Sequence, residues 1–541
     1  MKNIAIKPVN KKKDNGFSLV RVNSSTASAL GVNYVQETLV RYGMAVDSIT
    51  IYLDENVREN TMELSSQVLK NLRIPTSNSY HIYFDGKEIH LGPFIGIYVG
   101  NKESSIRKAM GRMAAYVINY ADINGTIFLI SGEGIDKSNL TAKGYVYNPL
   151  ANVWEYTTLP LPAMIFKKSY INKDIRNYLL SIYPGKFFNY QQFDKWEEYL
   201  ALSKFKESKK FLPNSIVYTS PKSIIKQLKK HKSVYVKPID GKKGQNILNI
   251  VLKNNCFEVR EQIEGQPCIN VYDNEDELII FLKGQLSRHK FISQQGLDIK
   301  IDGHVIDFRI GFDKNYSGSW EPTVFVGRVG GHESIVSNRS SGGTVIHPDE
   351  VLSKYYGFSK RKVKKVKKQL IQAGLQVTKA LDKSNMHLGK SALDFGLDKD
   401  GEIWLIESNL LSPNDSLENK INNPDKRDYL SFLNMMYSKK IAGFSHENVR
   451  FLVNIDSVED DKSEYAFEIT FYGSITEVFK EELSKKFKEN GMEHIALTSK
   501  DDKRYKVRVT SDKDSLMELI GDTVSDDKTK IRSTFVKNTK K

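Results

Sequence analysis

The residues best suited to chemistry lie in one short run, LDFGLDKDGEIWLIESN, from Leu393 to Asn409. It reads as a strand, an Asp-Gly hairpin turn and a second strand. Alternation along the strands puts Asp394 on the first and places Glu407 and Asn409 on one face of the second. Two carboxylates and an amide oxygen converging across a hairpin make a hard-oxygen site of the kind that suits Mg2+ bridging nucleotide phosphates. The same side chains could instead cover a solvent face.

Cationic groups that would complement such a site are spread upstream. SVYVKPIDGKKGQNI (Ser233 to Ile247) is a strand of buried type ending in Lys237-Pro238, followed by a loop with Gly241 and Gly244. Lys237 can reach a phosphate while loop N–H groups close over it, or the loop is a plain turn. VIDFRIGFD carries Arg309 and TVFVGRVG carries Arg328 between apolar strand residues. A triphosphate or acyl-phosphate is a natural partner for a guanidinium so placed, and a neighbouring carboxylate such as Asp307 is the competing one. The loop SNRSSGGTV, from Ser337 to Val345, gathers an amide, hydroxyls and two glycines, which fits close approach to an anion or an ordinary turn. Neither a P-loop nor a strand-linked Gly-x-Gly-x-x-Gly occurs.

The elements that must position these groups follow from the wider pattern. The 541 residues, 40% hydrophobic and 27% charged, have a globular composition. Two cysteines, Cys256 and Cys268, are too few for a disulfide framework and point to a reducing, cytosolic compartment. MKNIAIKPVNKKKDNG lacks the apolar core of a secretory signal, and no run approaches a membrane span. Residues 1–90 read as a small β-rich domain. LGPFIGIYVG (Leu91 to Gly100) then reads as one continuous strand, SIRKAMGRMAAYVINYADING as a helix and TIFLIS as a strand, an α/β layer extending to about residue 166. Helices and strands alternate over 167–440, and residues 445–541 outline a small α+β unit. The fold class is therefore multidomain α+β and α/β.

The net charge is +15, yet from residue 441 onward 18 basic face 20 acidic side chains, so the first 440 residues carry the whole excess. Its densest part, KRKVKKVKK from Lys360 to Lys368, continues into QLIQAGLQVTKAL with Val363, Val366, Leu370 and Ile371 at helical spacing. This is an amphipathic helix with a solvated lysine face. No aromatic readers interleave with it, which disfavours nucleic acid as a partner.

Taken together, the residues from about 90 to 440 resemble an ATP-grasp domain, and specifically the YheC/YheD-type branch described from spore-forming bacteria. The matching pieces are GPFIGIYVG, FFNYQQFDKWEEYLAL, VYVKPIDGKKGQ, FISQQGLDI, IDFRI, GRVG, SNRSSGG and LDFGLDKDGEIWLIESN. The resemblance implies an ATP-grasp domain over 167–440, preceded by a pre-ATP-grasp layer at 91–166. It implies that Lys195 and Lys237 hold the α- and β-phosphates of ATP, and that Gln294, Gln295 and Leu297 belong to the strand reading adenine, with Asp298 on the ribose. Arg309, Arg328 and Asn338 would stabilise the γ-phosphate and an acyl-phosphate, while Asp394, Glu407 and Asn409 would hold two Mg2+.

The implied activity is an ATP-dependent carboxylate–amine ligase acting on an amino acid or peptide, in the cytoplasm or with the spore. The alternative is a nucleotide-binding structural protein of the spore coat. Lys390 sustains that alternative, because related enzymes commonly carry an acid where this chain reads Leu388-Gly389-Lys390. His332 reads as a loop histidine, with a general base as the competing role. The unassigned C-terminal unit reads as a dimerisation module or a substrate-peptide binder, and the protein's expected macromolecular partner is a second copy or a spore-coat protein.

Overall fold

A computed structural model describes residues 2–9, 16–32, 37–241, 246–263, 266–286, 290–332, 334–335, 337, 342–384, 386–411, 425–444, 451–458, 466–473, 477–490, 492–497, 504–510 and 529–534. Seven strands come first: β1 (Lys2–Pro8), β2 (Leu19–Val22), β3 (Glu37–Tyr42), β4 (Ala45–Leu53), β5 (Thr61–Leu64), β6 (Ser79–Phe84) and β7 (Glu88–Gly92). They close a barrel in the order β1-β5-β2-β4-β3-β7-β6. Alternation supplies its interior: along β3, Thr38, Val40 and Tyr42 are buried and their neighbours are not.

The second sheet holds β8 (Phe94–Tyr98), β9 (Thr126–Asp136), β10 (Thr141–Asn148), β11 (Val153–Pro160), β12 (Met164–Lys167) and β13 (Phe187–Phe188), ordered β11-β10-β9-β8-β12-β13. Both faces of β8 are covered, and all five of its residues are buried. The single strand expected over Leu91 to Gly100 is two strands, one in each sheet, parted at Pro93, which has no N–H to give a ladder. The single helix expected after it is also divided, into Glu103–Met113, a tight turn at Ala114–Tyr116 and one turn at Tyr120–Ile123. Met113, Ala115, Tyr116 and Val117 are all buried, and one face of a regular helix cannot bury so many neighbours in succession. The sheet also runs past residue 166, since β13 pairs in parallel with β12.

Two further sheets make the cleft. The smaller contains β14 (Ser215–Val217), β15 (Ser233–Pro238), β16 (Leu248–Lys253), β17 (Cys256–Ile263), β18 (Gln266–Tyr272) and β19 (Phe291–Gln295), ordered β14-β19-β15-β16-β17-β18. Helices Pro221–His231 and Glu275–Gln285 cover one face through Ile224, Leu228, Leu278 and Leu282, leaving the other to the cleft. The larger contains β20 (Lys300–Ile301), β21 (His304–Lys314), β22 (Trp320–Val329), β23 (Thr344–Ile346), β24 (Lys390–Leu397) and β25 (Ile403–Asn409), ordered β23-β22-β21-β24-β25 with β20 beside β21.

The lysine-rich helix spans Lys360–Asp382, capped by the Ser359 side chain. Its apolar stripe packs Val363, Val366, Leu370 and Val377 against Phe308, Ile310 and Phe395. Gly374 is needed there, because a Cβ would lie 2.2 Å from the Phe312 ring. The opposite face of the larger sheet meets helix Asp425–Ile441, whose Leu430 packs on Val324 and Val326 while Met435 and Tyr437 reach the second sheet.

The last sheet consists of β26 (Phe451–Val458), β27 (Ala466–Gly473), β28 (Glu493–Leu497), β29 (Arg504–Thr510) and β30 (Thr529–Thr534), ordered β28-β29-β27-β26-β30. Helix Glu477–Glu489 accompanies it. The segment DSLMELI, whose sequence reads as a last short helix, lies outside the described residues. Among those residues no helix is long and apolar enough to cross a membrane.

Candidate active site

The hairpin β24–β25 forms as its sequence predicts, with Asp394 directly opposite Glu407. The register slips by one just after this pair, where Phe395 faces Leu405, so Ile406 is the extra residue of a bulge. Ile406 and Glu407 both reach the cleft wall as a result. On the other side of β24, Arg309 of β21 is the direct cross-strand partner of Asp394.

Asp394, Ile406 and Glu407 border a cavity of about 110 Å³ between the two sheets, which Lys195, Lys237, Gly241, Gln294, Gln295, Leu297 and Arg328 also line. Lys195 is the first residue of a helix capped by Asp194, with Glu197 closing a capping box. Its Nζ donates to Gly241 O at 2.6 Å, tying the helix to the loop after β15. Lys237 Nζ donates to Gln294 Oε1 at 2.7 Å, on the neighbouring strand β19. Burial lowers both ammonium pKa values, that of Lys237 to about 8, against the pull of Glu407. Burial likewise raises the Glu407 carboxyl, with Asp394 adding to the effect.

A chain of alternating charges forms the end wall. Arg328 grips Asp307 through Nε and Nη2 at 2.5 and 2.8 Å and reaches Asp394 at 2.8 Å. Arg309 grips Asp394 through Nε and Nη2 at 2.7 and 2.6 Å. Burial alone would raise Asp394, but Arg309 and then Arg328 outweigh it and hold the carboxyl below its ordinary value. Arg328 therefore has the competing partner that the sequence named, Asp307, and still lines the cavity, whereas Arg309 pairs with Asp394. Arg309 and Asn409 stand one side chain back, each against Asp394, with Asn409 Nδ2 at 3.5 Å. Ser337, which also lines the cavity, donates to Asp307.

The donor set fits a magnesium–nucleotide group. Asp394, Glu407 and Asn409 share one face and offer hard oxygens, while two lysines and an arginine stand where phosphate charge would lie. Tyr235 and the apolar Ile247, Leu297, Ile299 and Ile406 form walls suited to a flat ring.

Other expected positions fall elsewhere. Asp298 turns to the surface, where it pairs with Lys399 at 3.1 Å. Gly244 and Asn338 lie outside the described residues. His332 packs edge-on against His304, with ring centroids 5.5 Å apart. Lys390 does not reach the cavity wall: it is buried, with Nζ 3.3 Å from Asp313 Oδ1. Glu198 went unremarked in the sequence, although its place one turn after Lys195 points it the same way. Burial raises its carboxyl to about 7, and it lines a small recess that shares Lys195, Lys237 and Glu407 with the main cavity.

Known proteins bear on this arrangement. Endospore coat-associated protein YheD of Bacillus subtilis (strain 168) is 26% identical over 366 residues, covering 65% of this chain and 79% of that one. Endospore coat-associated protein YheC of the same organism is 23% identical over 284 residues, covering 51% and 77%. Among solved structures, N5-carboxyaminoimidazole synthetase from Staphylococcus aureus complexed with ADP aligns over 80% of this chain and 97% of its own, at 12% identity and a TM-score of 0.36. A RiPP-associated ATP-grasp ligase of Chryseobacterium gregarium aligns over 64% and 96%, at 13% identity and a TM-score of 0.36. Residues 185–441, which contain both sheets of the cleft and every wall of the cavity, match the family described as YheC/D like ATP-grasp.

Proposed function

We propose that the protein is an ATP-dependent carboxylate–amine ligase acting on an amino acid or peptide. The observation that carries this reading is the convergence of Lys195, Lys237, Arg328, Asp394 and Glu407 on one cavity, with Arg309 behind Asp394. ATP would enter with adenine against the Gln294–Leu297 segment and its phosphates toward Lys195 and Lys237. Asp394, Glu407 and Asn409 would hold Mg2+, which neutralises phosphate charge when bound.

A substrate carboxylate oxygen attacks the γ-phosphorus, the bond to the β-phosphate oxygen breaks, and ADP leaves. The acyl-phosphate then takes an amine at its carbonyl carbon, and phosphate departs as the amide forms. The protein's contribution is position and charge: Arg328 would face the transferring group, and Arg309 would hold Asp394 in place from behind.

Thermal stability measured with Mg·ATP tests the binding step. The wild type should gain in midpoint, and Lys237→Ala and Glu407→Ala should each lose most of that gain. ADP release that requires both an added carboxylate and an added amine then tests the ligase step. The second reading is an ATP-binding coat protein without turnover, favoured by the names of the two Bacillus relatives. It predicts the same midpoint gain with no ADP release under any pairing of acid and amine. Lys390 no longer supports it, since that side chain lies outside the cavity and neutralises Asp313.

A further inference from the structure

The bulge at Ile406 makes the match of Asp394 to Glu407 vulnerable, because moving the extra residue by one position would turn Glu407 to the other face. The Asp398–Glu402 turn pins the hairpin at one end, through Gly401 N to Asp398 O and Asp398 N to Glu402 O. At the other end the pin comes from a different sheet.

Asn189 follows β13 directly, is 1% exposed, and has a left-handed φ of +57°, a conformation asparagine tolerates. Its backbone N–H donates to His387 O at 2.9 Å. Its Oδ1 accepts from Gly389 N at 3.0 Å and Lys390 N at 3.1 Å, and its Nδ2 donates to Lys390 O at 2.7 Å and to Leu410 O. One amide thus spans the first residue of β24 and the residue just after β25, with all its hydrogen-bonding capacity used. Lys167, at the end of β12, adds a second tie: its buried Nζ donates to Leu411 O at 3.1 Å. Gly389 permits the approach, since a Cβ there would lie 2.6 Å from the Phe188 ring.

We propose that Asn189, assisted by Lys167, is a positioning residue for the divalent cation: it fixes the offset of β24 against β25 from outside their sheet, and so holds Asp394, Glu407 and Asn409 on one face. This rests on the nucleotide reading of the cavity. Neither residue touches the cavity; each acts through the backbone of the strands that do.

The test titrates MgCl2 into the full chain at fixed ADP and follows the thermal midpoint. Asn189→Ala should raise the Mg2+ concentration giving half of the ADP-dependent gain by on the order of ten- to a hundredfold, the usual cost of losing an outer-shell partner. Lys167→Met, a milder change that keeps the fold if Asn189→Ala does not, should shift it the same way by less. Phe187→Leu, a buried change on β13 two residues before Asn189, should lower the midpoint without moving that concentration. Half-points within twofold of wild type in both clamp variants would overturn the proposal. A wild type unresponsive to ADP and Mg2+ together would remove the nucleotide reading and the clamp with it; a responsive wild type matched by its variants would remove the clamp alone.

Discussion

Strands β21 and β24 carry two oppositely charged cross-strand pairs on one face, four residues apart and with the signs exchanged. Arg309 stands opposite Asp394, and Asp313 stands opposite Lys390. At the first the guanidinium binds the carboxylate with two hydrogen bonds, and the acid opens on the cavity. At the second a single ammonium lies 3.3 Å from an acid that also accepts from Thr323 and Asn434, beneath helix Asp425–Ile441. Register and charge complementarity are the same at both. What covers the pair decides whether its charges can be offered to a ligand or are consumed by the fold.

The largest break should come at the open pair. Asp394→Ala leaves Arg309 and Arg328 without their shared acid, and a buried charge stripped of its partner costs about 3–5 kcal/mol. The midpoint should fall accordingly in thermal unfolding, and any gain from Mg·ATP should vanish. At the sealed pair, Lys390→Met should cost about 3 kcal/mol by the same argument, while the gain from Mg·ATP stays near the wild-type value. Adding Asp313→Asn should restore most of that loss. A Lys390→Met protein that folds well but no longer responds to Mg·ATP would show that the sealed pair does take part in the site.

A smaller effect is expected at Glu198, beside the open pair. Its folded pKa of about 7 lies above that of an ordinary glutamate, so the folded state holds the proton more tightly. Stability from this group is full below the ordinary value near 4.5 and is lost as pH rises toward 7, by at most about 3 kcal/mol. Glu198→Gln should flatten that part of the stability–pH curve measured by denaturant unfolding. The smallest effect belongs to the Asp298–Lys399 pair, whose side chains are 63% and 58% exposed. Asp298→Ala should change stability by less than about 0.5 kcal/mol. It should also leave the Mg·ATP response unchanged, unless Asp298 turns inward to the ribose.

Much of the site was legible in the order of residue types. The Asp394, Glu407, Asn409 face follows from period-two alternation across a hairpin with an Asp-Gly turn, and Lys237 from a buried strand that ends in a basic residue and a loop. Asp307 was visible only as one of two partners for the arginines, because cross-strand register is a long-range property. Glu198 is not legible in the sequence, because a glutamate in an acidic first helical turn usually serves the helix end rather than facing a cavity. The divided helix after β8 could not be read either, since its break answers to the core that Tyr116 and Val117 enter.

The sequence by itself determined the hairpin at 393–409, the strands that carry Lys237, Arg309 and Arg328, the face on which the acids stand, and the solvated lysine face of Lys360–Asp382. Those features depend on local periodicity and turn chemistry, which each segment carries with it. Only the tertiary structure decided that Asp394 is shared by two arginines, that Lys390 belongs to a sealed pair, and that Asn189 ties two strands about 200 residues further along the chain. Each of these is a contact between segments far apart in sequence, set by which layer covers which end of a sheet, and no local pattern encodes that.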